Sequence, residues 1–126
     1  MTDATRQDTQ TQQNEVSCEN GILVYRLLMP VDDHEAERLD GAGRAFLERK
    51  EADKVLIDIR RSSNFSSAAR KRWVEFLRNP GIKKTAIFGG NTFVRTLAVF
   101  VIGASKMGNI KFFATEQEAL EWLRSS

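Results

Sequence analysis

Short apolar runs alternate with longer, helix-length segments along the second half of the chain. The run at 85–88 precedes a Gly89-Gly90 pair and a largely apolar segment, and the run at 110–113 precedes Thr115, a favourable helix N-cap. Apolar runs of this length are typical of buried strands, whereas the segments that follow them are long enough for helices. Strands that alternate with helices indicate a parallel sheet.

The first half of the chain predicts a hairpin, two helices and a further strand. Asn20-Gly21 has the residue types of a type I′ turn, so the short run at 16–18 and the strand at 22–29 should pair in antiparallel orientation. The next strand is predicted at 55–59. We therefore predict a single α/β domain with a mixed β-sheet flanked by helices, in the order β-β-α-β-α-β-α-β-α.

Residues 1–12 differ from the rest of the chain because they are polar and have no apolar periodicity. Such a segment has little apolar surface to offset the entropy of ordering, so we predict a disordered tail at 1–12 and a folded domain at 13–126. The 126 residues are sufficient for one ordinary hydrophobic core.

The net charge of +2 conceals a marked asymmetry between two parts of the chain. Residues 1–53 carry 12 acidic and 6 basic side chains, a net charge of −6, whereas residues 54–111 carry 12 basic and 2 acidic ones, a net charge of +10. A basic half can attract an anionic partner or ligand. The basic residues are scattered and have no interleaved aromatic platform, so nucleic-acid binding is not predicted.

The sequence predicts a cytoplasmic protein without a membrane span, a metal or a cofactor. No apolar run approaches the ~18 residues of a membrane-spanning helix, and the polar N-terminus lacks the apolar core of a secretory signal. A single cysteine, Cys18, excludes a disulfide within the chain. The sequence contains no P-loop, dinucleotide fingerprint or metal-ligand spacing.

Three segments carry a resemblance to a known family: the strand VLIDIR (Val55–Arg60), the segment KTAIFGG (Lys84–Gly90) and the ending IKFFATEQEALEWL (Ile110–Leu123). Together with the order of the elements, these segments resemble the SpoIIAA-like group of STAS-type domains. The similarity covers roughly residues 14–124. It implies a mixed sheet flanked by helices, in a group that includes anti-sigma-factor antagonists and transporter appendages, with a related similarity to the CRAL-TRIO lipid-binding fold.

The resemblance also implies a phosphoacceptor. In anti-sigma-factor antagonists, a partner kinase phosphorylates a serine at the start of the helix that follows the central strand. The matching residue here is Ser66, with Ser67 as the second candidate, although Phe65 and Ala68 stand where that family has an acidic residue and a glycine. A phosphate at this helix N-terminus would gain from free N–H groups and from the macrodipole.

A second candidate site is the turn Gly89-Gly90-Asn91-Thr92, with Arg95 one turn into the following helix. Glycines let the backbone approach a ligand, and a helix N-terminus favours an anion. Such turns lie beyond the carboxyl ends of parallel strands, where Ser66 and Arg60 are also expected. An ordinary strand–helix turn is the alternative interpretation.

Asp58 is the only charged side chain in the apolar strand at 55–59. It either accepts hydrogen bonds from loop N–H groups or faces a cleft that binds a ligand. An enzymatic role for Asp58 with Ser66 or Arg95 would need an orienting partner, and the sequence offers no obvious one and no other general base of suitable pKa. We therefore predict no enzymatic activity.

The predicted helix at 92–105 is more apolar than a single buried stripe requires. Only Arg95 and Thr96 interrupt the apolar side chains between 93 and 102. Excess apolar surface marks an interface or a binding groove. We predict that Phe93, Leu97 and Phe100 contribute to such a surface, either in a homodimer or against a lipid-like ligand.

Two functional hypotheses follow from these observations. The first is a non-enzymatic regulatory module of STAS type that binds a protein partner through the end of the domain that carries Ser66 and Gly90. The second is a binding protein for an anionic or lipid-like small molecule, held by the Gly89-Gly90 turn and the apolar helix. Neither hypothesis requires a cofactor.

Overall fold

The structure of the protein, a computed structural model, describes residues 13–61 and 65–125, without the side chains of Phe93, Val94 and Leu97. The strands are β1 (Glu15–Glu19), β2 (Ile22–Arg26), β3 (Lys54–Asp58), β4 (Lys84–Phe88) and β5 (Ile110–Phe113). The helices are α1 (Asp33–Glu48), α2 (Ser67–Leu77), α3 (Thr92–Ser105) and α4 (Glu116–Arg124). The tail predicted at 1–12 lies outside the described residues and stays a prediction.

The five strands form one mixed sheet in the order β1-β2-β3-β4-β5. β1 and β2 pair antiparallel, and the other three pairs are parallel. The hairpin turn has Asn20 at φ 53° and Gly21 at φ 81°, the positive values that a type I′ turn requires. The predicted α/β class and order of elements are therefore confirmed.

β2 is shorter than the sequence predicts, because it ends at Arg26 rather than at Met29. The backbone N–H groups of Leu28 and Met29 both donate to the side-chain oxygen of Asn14, at 2.7 and 2.8 Å. Asn14 is buried, and its amide thus satisfies the two N–H groups that a longer strand would have used for pairing.

The sheet separates two apolar layers. The larger layer joins α1, α2 and α3 to one face of the sheet, and the smaller layer joins α4 to the other face. Side chains of β2 alternate between them, with Leu23 and Tyr25 in the larger layer and Ile22 and Val24 in the smaller one. The position of a side chain in this alternation therefore decides which of the two layers it joins, also at the carboxyl end of a strand.

Three helices begin at side chains that accept a backbone N–H. The oxygens of Asp32, Ser66 and Thr115 each accept the N–H three residues ahead, at 2.8, 3.0 and 3.2 Å. These bonds satisfy donors that have no partner inside the helix. Since Ser66 is the N-cap of α2, Ser67 becomes the first residue of that helix.

An aromatic cluster forms the centre of the larger layer. Tyr25, Trp73 and Phe76 pack edge to face, with ring centroids 4.9 to 5.9 Å apart. The Tyr25 hydroxyl donates to the backbone oxygen of Leu39 at 3.0 Å. α1 crosses the cluster at Gly43, where a Cβ atom would overlap the Tyr25 hydroxyl and lie 2.9 Å from the Phe76 ring.

We expect Gly43→Ala to lower the free energy of unfolding by about 2 kcal/mol, because overpacking a rigid core outweighs the better helix propensity of alanine. Gly41→Ala is the matched control, since Gly41 lies in the same helix with open space around it. The control should gain up to about 1 kcal/mol. Urea unfolding of both variants would measure the difference, and equal stability would contradict the close approach at Gly43.

Candidate functional site: an ion cluster and the surface of the second and third helices

An ion cluster lies at the carboxyl ends of β2 and β3, on the face of the sheet that α4 covers. Arg26, Asp58 and Phe88 lie side by side in register on three neighbouring strands. Glu116, the first residue of α4, pairs with Arg26. Arg60, in the loop after β3, has its guanidinium carbon 5.2 Å from the centre of the Phe88 ring.

Asp58 is buried, and both of its carboxylate oxygens accept charge-assisted hydrogen bonds. Oδ1 accepts from the backbone N–H and the Nε of Arg60, at 3.0 and 3.1 Å. Oδ2 accepts from Arg60 Nη2 and from Arg26 Nη1, each at 2.9 Å. The carboxylate is therefore held on every side by groups of this chain.

Burial by itself would raise the pKa of Asp58. The side-chain and backbone hydrogen bonds from Arg60 and the bond from Arg26 outweigh burial and hold the pKa below its ordinary value. Asp58 is therefore ionised at neutral pH. A carboxylate of low pKa whose oxygens are already engaged is a poor general base.

Arg26 and Glu116 belong to the cluster but were not predicted from the sequence. Arg26 donates to both oxygens of Glu116, at 3.3 and 3.1 Å, and this bond raises the pKa of Arg26 more than burial lowers it. The partners of Arg26 lie 32 and 90 residues away in the sequence. The one available signal was an arginine near the end of a predicted strand, and pairing it with Asp58 requires the register of the sheet.

The Gly89-Gly90 pair brings two loops together. Gly89 and Gly90 have φ values of 90° and 87°, a region that side chains rarely occupy. A Cβ atom on Gly89 would overlap the Arg60 side chain and lie 3.1 Å from the Arg60 Cα, and one on Gly90 would lie 3.1 Å from Ile59. The glycines thus allow the loop after β4 to pack on the loop after β3. This packing accounts for both glycines without a ligand.

The remaining candidates of this turn begin α3. The backbone N–H of Arg95 donates to the oxygen of Asn91 at 2.8 Å, and α3 starts at Thr92. Arg95 is exposed and has its guanidinium carbon 5.0 Å from the centre of the Phe112 ring on β5. Arg95, which the sequence suggested as an anion-binding residue, is thus engaged in a cation–π contact with Phe112.

Ser66 and Ser67 have different surroundings. The Ser66 hydroxyl donates to Asp33 Oδ1 at 2.5 Å, in addition to its role as an N-cap. Ser67 is exposed, and its hydroxyl oxygen accepts from Arg70 Nη2 at 3.2 Å. Ser66 therefore has an acidic neighbour, Asp33, whereas Ser67 has a basic one, Arg70.

Of the two residues expected near the Gly89-Gly90 turn, Arg60 packs on Gly89, whereas Ser66 contacts a different part of the domain. Ser66 contacts Asp33 at the start of α1, on the side of the larger layer. On the opposite face Asp58 pairs with Arg26, and Arg60 Nη2 lies 3.7 Å from Glu116 Oε1. Asp58 lies on that face because it follows Leu56, which faces α4, in the alternation of the strand. The ion cluster and the serines are thus two separate features.

α3 exposes apolar side chains on its outer face. Val99 and Phe100 are 60% and 61% exposed, whereas Ala98 and Val101 are buried. The excess apolar surface predicted for this helix is therefore present at Phe100. The side chains of Phe93 and Leu97 lie outside the described residues, so their part in an interface stays a prediction.

Two concavities lie along the contact between α2 and α3. An inner cavity of about 40 Å³ has mostly apolar walls, formed by residues that include Leu27, Ile57, Ile59, Phe65, Trp73 and Val101. An outer groove of about 360 Å³ is lined by Ser67, Arg70, Lys71, Val74, Phe100 and Ala104. Arg70 borders both. The indole N–H of Trp73 has no hydrogen-bond partner in the described part of the chain.

Three further observations concern metal ligands, membrane spans and the cysteine. Within 13–61 and 65–125, no three His, Cys, Asp or Glu side chains form a group that could hold a metal ion. None of the described helices has the length and apolar character needed to cross a membrane. The Cys18 thiol donates to the backbone oxygen of Glu51 at 3.3 Å, and burial raises its pKa. Cys18 is therefore a poor nucleophile.

Solved structures share this fold at low sequence identity. The anti-sigma factor antagonist SpoIIAA in its unphosphorylated form is 17% identical, with a TM-score of 0.69 over 90% of this chain and 100% of that chain. SpoIIAA of Bacillus in its phosphorylated form is 18% identical, with a TM-score of 0.67 over 89% and 100%. An anti-sigma factor antagonist from Mycobacterium paratuberculosis is 17% identical, with a TM-score of 0.70 over 90% and 94%. The predicted SpoIIAA-like fold is confirmed.

Comparison of sequences identifies the family of the chain. No curated protein matches the chain. The family model "Domain of unknown function (DUF7793)" matches residues 16–126, which is nearly the whole described domain. The chain therefore belongs to the DUF7793 family, and its domain has the SpoIIAA-like fold of STAS-type domains.

Proposed function

We propose that this domain is a non-enzymatic regulatory module that binds a protein partner through the start of α2 and the outer face of α3. The observation that carries the proposal is the grouping of an exposed serine, an arginine and an exposed aromatic ring around one groove, formed by Ser67, Arg70 and Phe100. A modifiable hydroxyl beside an interaction surface suits regulated protein binding. The similar SpoIIAA structures include an unphosphorylated and a phosphorylated form.

The surroundings of the two serines favour Ser67 as the phosphoacceptor. A phosphate on Ser66 would face the Asp33 carboxylate and would disturb the N-cap of α2. A phosphate on Ser67 would lie in the first turn of a helix, close to free N–H groups and to the guanidinium of Arg70. Ser66, the better match by sequence pattern, is thus the less suitable residue by its contacts.

The ion cluster supports a structural role over a catalytic one. Asp58 is ionised and engaged on both oxygens by Arg60 and Arg26. Arg60 and Gly89 are packed against each other. These residues hold the carboxyl ends of the strands together, so the cluster is not part of the proposed partner surface.

We expect Ser67→Asp to change the affinity for the partner by about tenfold or more, equivalent to ~1.4 kcal/mol, because a negative charge enters the groove next to Arg70. Crosslinking mass spectrometry in the native host would identify the partner and the phosphorylated residue. Titration of purified partner against wild type, Ser67→Asp and Ser67→Ala would then measure the effect.

Ser17→Asp is the matched control, since Ser17 is an exposed serine on β1, away from α2. It should bind like wild type. A partner that binds wild type, Ser67→Asp and Ser17→Asp equally, together with unphosphorylated Ser67 in the host, would contradict the proposal.

The inner cavity points to one second candidate, a lipid-like anion that inserts a small apolar group, because about 40 Å³ holds only a few water-sized groups. Its walls are largely apolar, Trp73 offers an unpaired indole N–H within the described part of the chain, and Arg70 lies at its border. Native mass spectrometry of freshly purified protein would detect a retained ligand. Ligand-free protein without a thermal shift in the presence of acyl or phosphate compounds would contradict this candidate.

A further inference from the structure

The outer groove between α2 and α3 combines apolar and basic side chains. Its six lining residues are Ser67, Arg70, Lys71, Val74, Phe100 and Ala104. Phe100 forms an exposed apolar wall, and the small residues Gly103 and Ala104 lie one turn further along α3. Large exposed aromatic rings next to small residues are typical of the centre of a protein interface.

The two cations of the groove lack carboxylate partners among the described residues. Arg70 donates to the backbone oxygen of Phe65 and to the hydroxyl of Ser67, both uncharged acceptors. In the described part of the chain, no carboxylate lies within salt-bridge distance of Arg70 or Lys71. The described residues that line the groove include two cations and no carboxylate, and Glu75, one turn beyond Lys71 on α2, is not among them. The groove itself is therefore positively charged, and a complementary partner carries negative charge.

The shape of the groove fits a helix. The lining residues span 67–74 of α2 and 100–104 of α3, a rise of roughly 6 to 10 Å, which matches one to two turns of a partner helix. A partner strand would need a sheet edge with free backbone groups, and beyond their terminal turns the N–H and C=O groups of α2 and α3 are engaged within their own helices. An amphipathic helix needs only apolar and charged side chains at i, i+3 and i+4 spacing.

We infer that the α2–α3 groove binds an acidic amphipathic helix of a protein partner, with a bulky apolar side chain against Phe100 and carboxylates against Lys71 and Arg70. The inference rests on the proposed function and deepens it, because it names the chemistry of the partner and the residues that recognise it. Phosphorylation of Ser67 would place negative charge beside the same cations and would compete with the partner's carboxylates.

The test uses the full chain and a displayed library of amphipathic helices of about 18 residues, long enough to be helical alone. The charges and apolar anchors of the library are randomised. We expect the selected peptides to be acidic, to contain a bulky apolar anchor and to bind more weakly as salt is added. Selected peptides that are neutral or basic, or no selection at all, would overturn the inference.

Phe100→Glu and Val99→Glu form the decisive pair of variants. The two residues are neighbours on α3 with exposures of 61% and 60%, but only Phe100 lines the groove. Because the same residue is introduced at equal exposure, both variants should keep the fold. We expect Phe100→Glu to weaken peptide binding at least about tenfold and Val99→Glu to leave it unchanged. Equal behaviour of the two variants would overturn the inference.

Lys71→Glu tests the charge, with Arg124→Glu on α4 as the control for a lost surface cation. Lys71→Glu should weaken the binding of acidic peptides, and Arg124→Glu should not.

Two further measurements test other occupants of the groove. A wild-type dimer that Phe100→Glu dissociates in analytical ultracentrifugation would assign the groove to a second copy. Phosphatidylglycerol vesicles that bind wild type but not Phe100→Glu would assign it to a lipid surface. Either result would overturn the inference.

The proposed function and this inference fail in different ways. If a native partner responds to Ser67→Asp but binds Phe100→Glu as tightly as Val99→Glu, regulation through Ser67 stands, and the groove and the α3 part of the proposed surface are wrong. If acidic helices bind the groove but no native partner responds to Ser67, the groove stands as a peptide site and the regulatory proposal is wrong.

Discussion

Asp58→Asn is expected to lower the free energy of unfolding by about 3 kcal/mol at pH 7, because it removes the buried anion that Arg26 and Arg60 share at the end of β3 and leaves them the more exposed Glu116. The asparagine amide offers one acceptor and turns a donor toward a guanidinium, which has only donors. The two arginine side chains are 32% and 57% exposed, so water can solvate them in part. The loss should therefore lie at the lower end of the range for broken buried ion pairs.

Asp53→Asn is the matched control for this prediction. Asp53 also pairs with two cations, Lys54 and Lys83, but its side chain is 38% exposed and lies at the opposite ends of the strands. Ion pairs in that setting contribute about 0–1 kcal/mol. Urea unfolding of both variants would measure the difference. Equal losses in the two variants would show that the Asp58 cluster is no more important than a surface pair.

The same cluster predicts a dependence of stability on pH. The pKa of Asp58 is lower in the folded protein than the ordinary value of about 3.9, so the unfolded chain binds the proton more readily. Its contribution to stability is therefore complete above about pH 5 and is lost as the pH falls through about 4 and below. Asp58→Asn should therefore reduce the loss of stability between about pH 5 and lower pH, and Asp53→Asn should reduce it less.

The sequence was sufficient for those parts of the fold that depend on local chemistry. Asn20-Gly21 determines a hairpin because few residues accept two positive φ angles, and the predicted helix at 92–105 and strand at 110–113 match the observed bounds of α3 and β5. The strand predicted at 22–29 was too long, because the N–H groups at its end are taken by Asn14, a residue outside the predicted element. Hydrogen bonds from distant side chains leave no local pattern.

The candidate site was predictable only in part, for the same reason. Asp58 was recognisable as an isolated charge in an apolar strand, but its partners Arg26 and Glu116 depend on strand register and on where α4 begins. The alternation of side chains along a strand also decides which face of the sheet each one joins. Asp58 therefore lies on the face that α4 covers, whereas Ser66, which is close to it in sequence, contacts Asp33 on the other side. A pattern of residue types does not contain that three-dimensional information.

Gly89→Ala is expected to destabilise the domain by about 3 kcal/mol. The backbone at Gly89 has a φ of 90°, and a side chain in that region adds roughly 1–2 kcal/mol of strain. The added methyl group would also overlap the Arg60 side chain and lie 3.1 Å from the Arg60 Cα and N, which adds about 1–3 kcal/mol of overpacking. Because Arg60 donates three hydrogen bonds to Asp58, displacing Arg60 weakens the ion cluster as well.

Gly21→Ala separates backbone strain from the clash. Gly21 has a similar φ of 81°, but no atom lies within 4 Å of the position that an alanine methyl group would take, so only the strain of about 1–2 kcal/mol should appear. A double-mutant cycle between Gly89→Ala and Asp58→Asn would then test the route of the effect. If Gly89→Ala acts partly by displacing Arg60 from Asp58, the double variant loses less stability than the two single losses added together. Strict additivity, or equal losses for Gly89→Ala and Gly21→Ala, would contradict the close packing of the two loops at the end of the sheet.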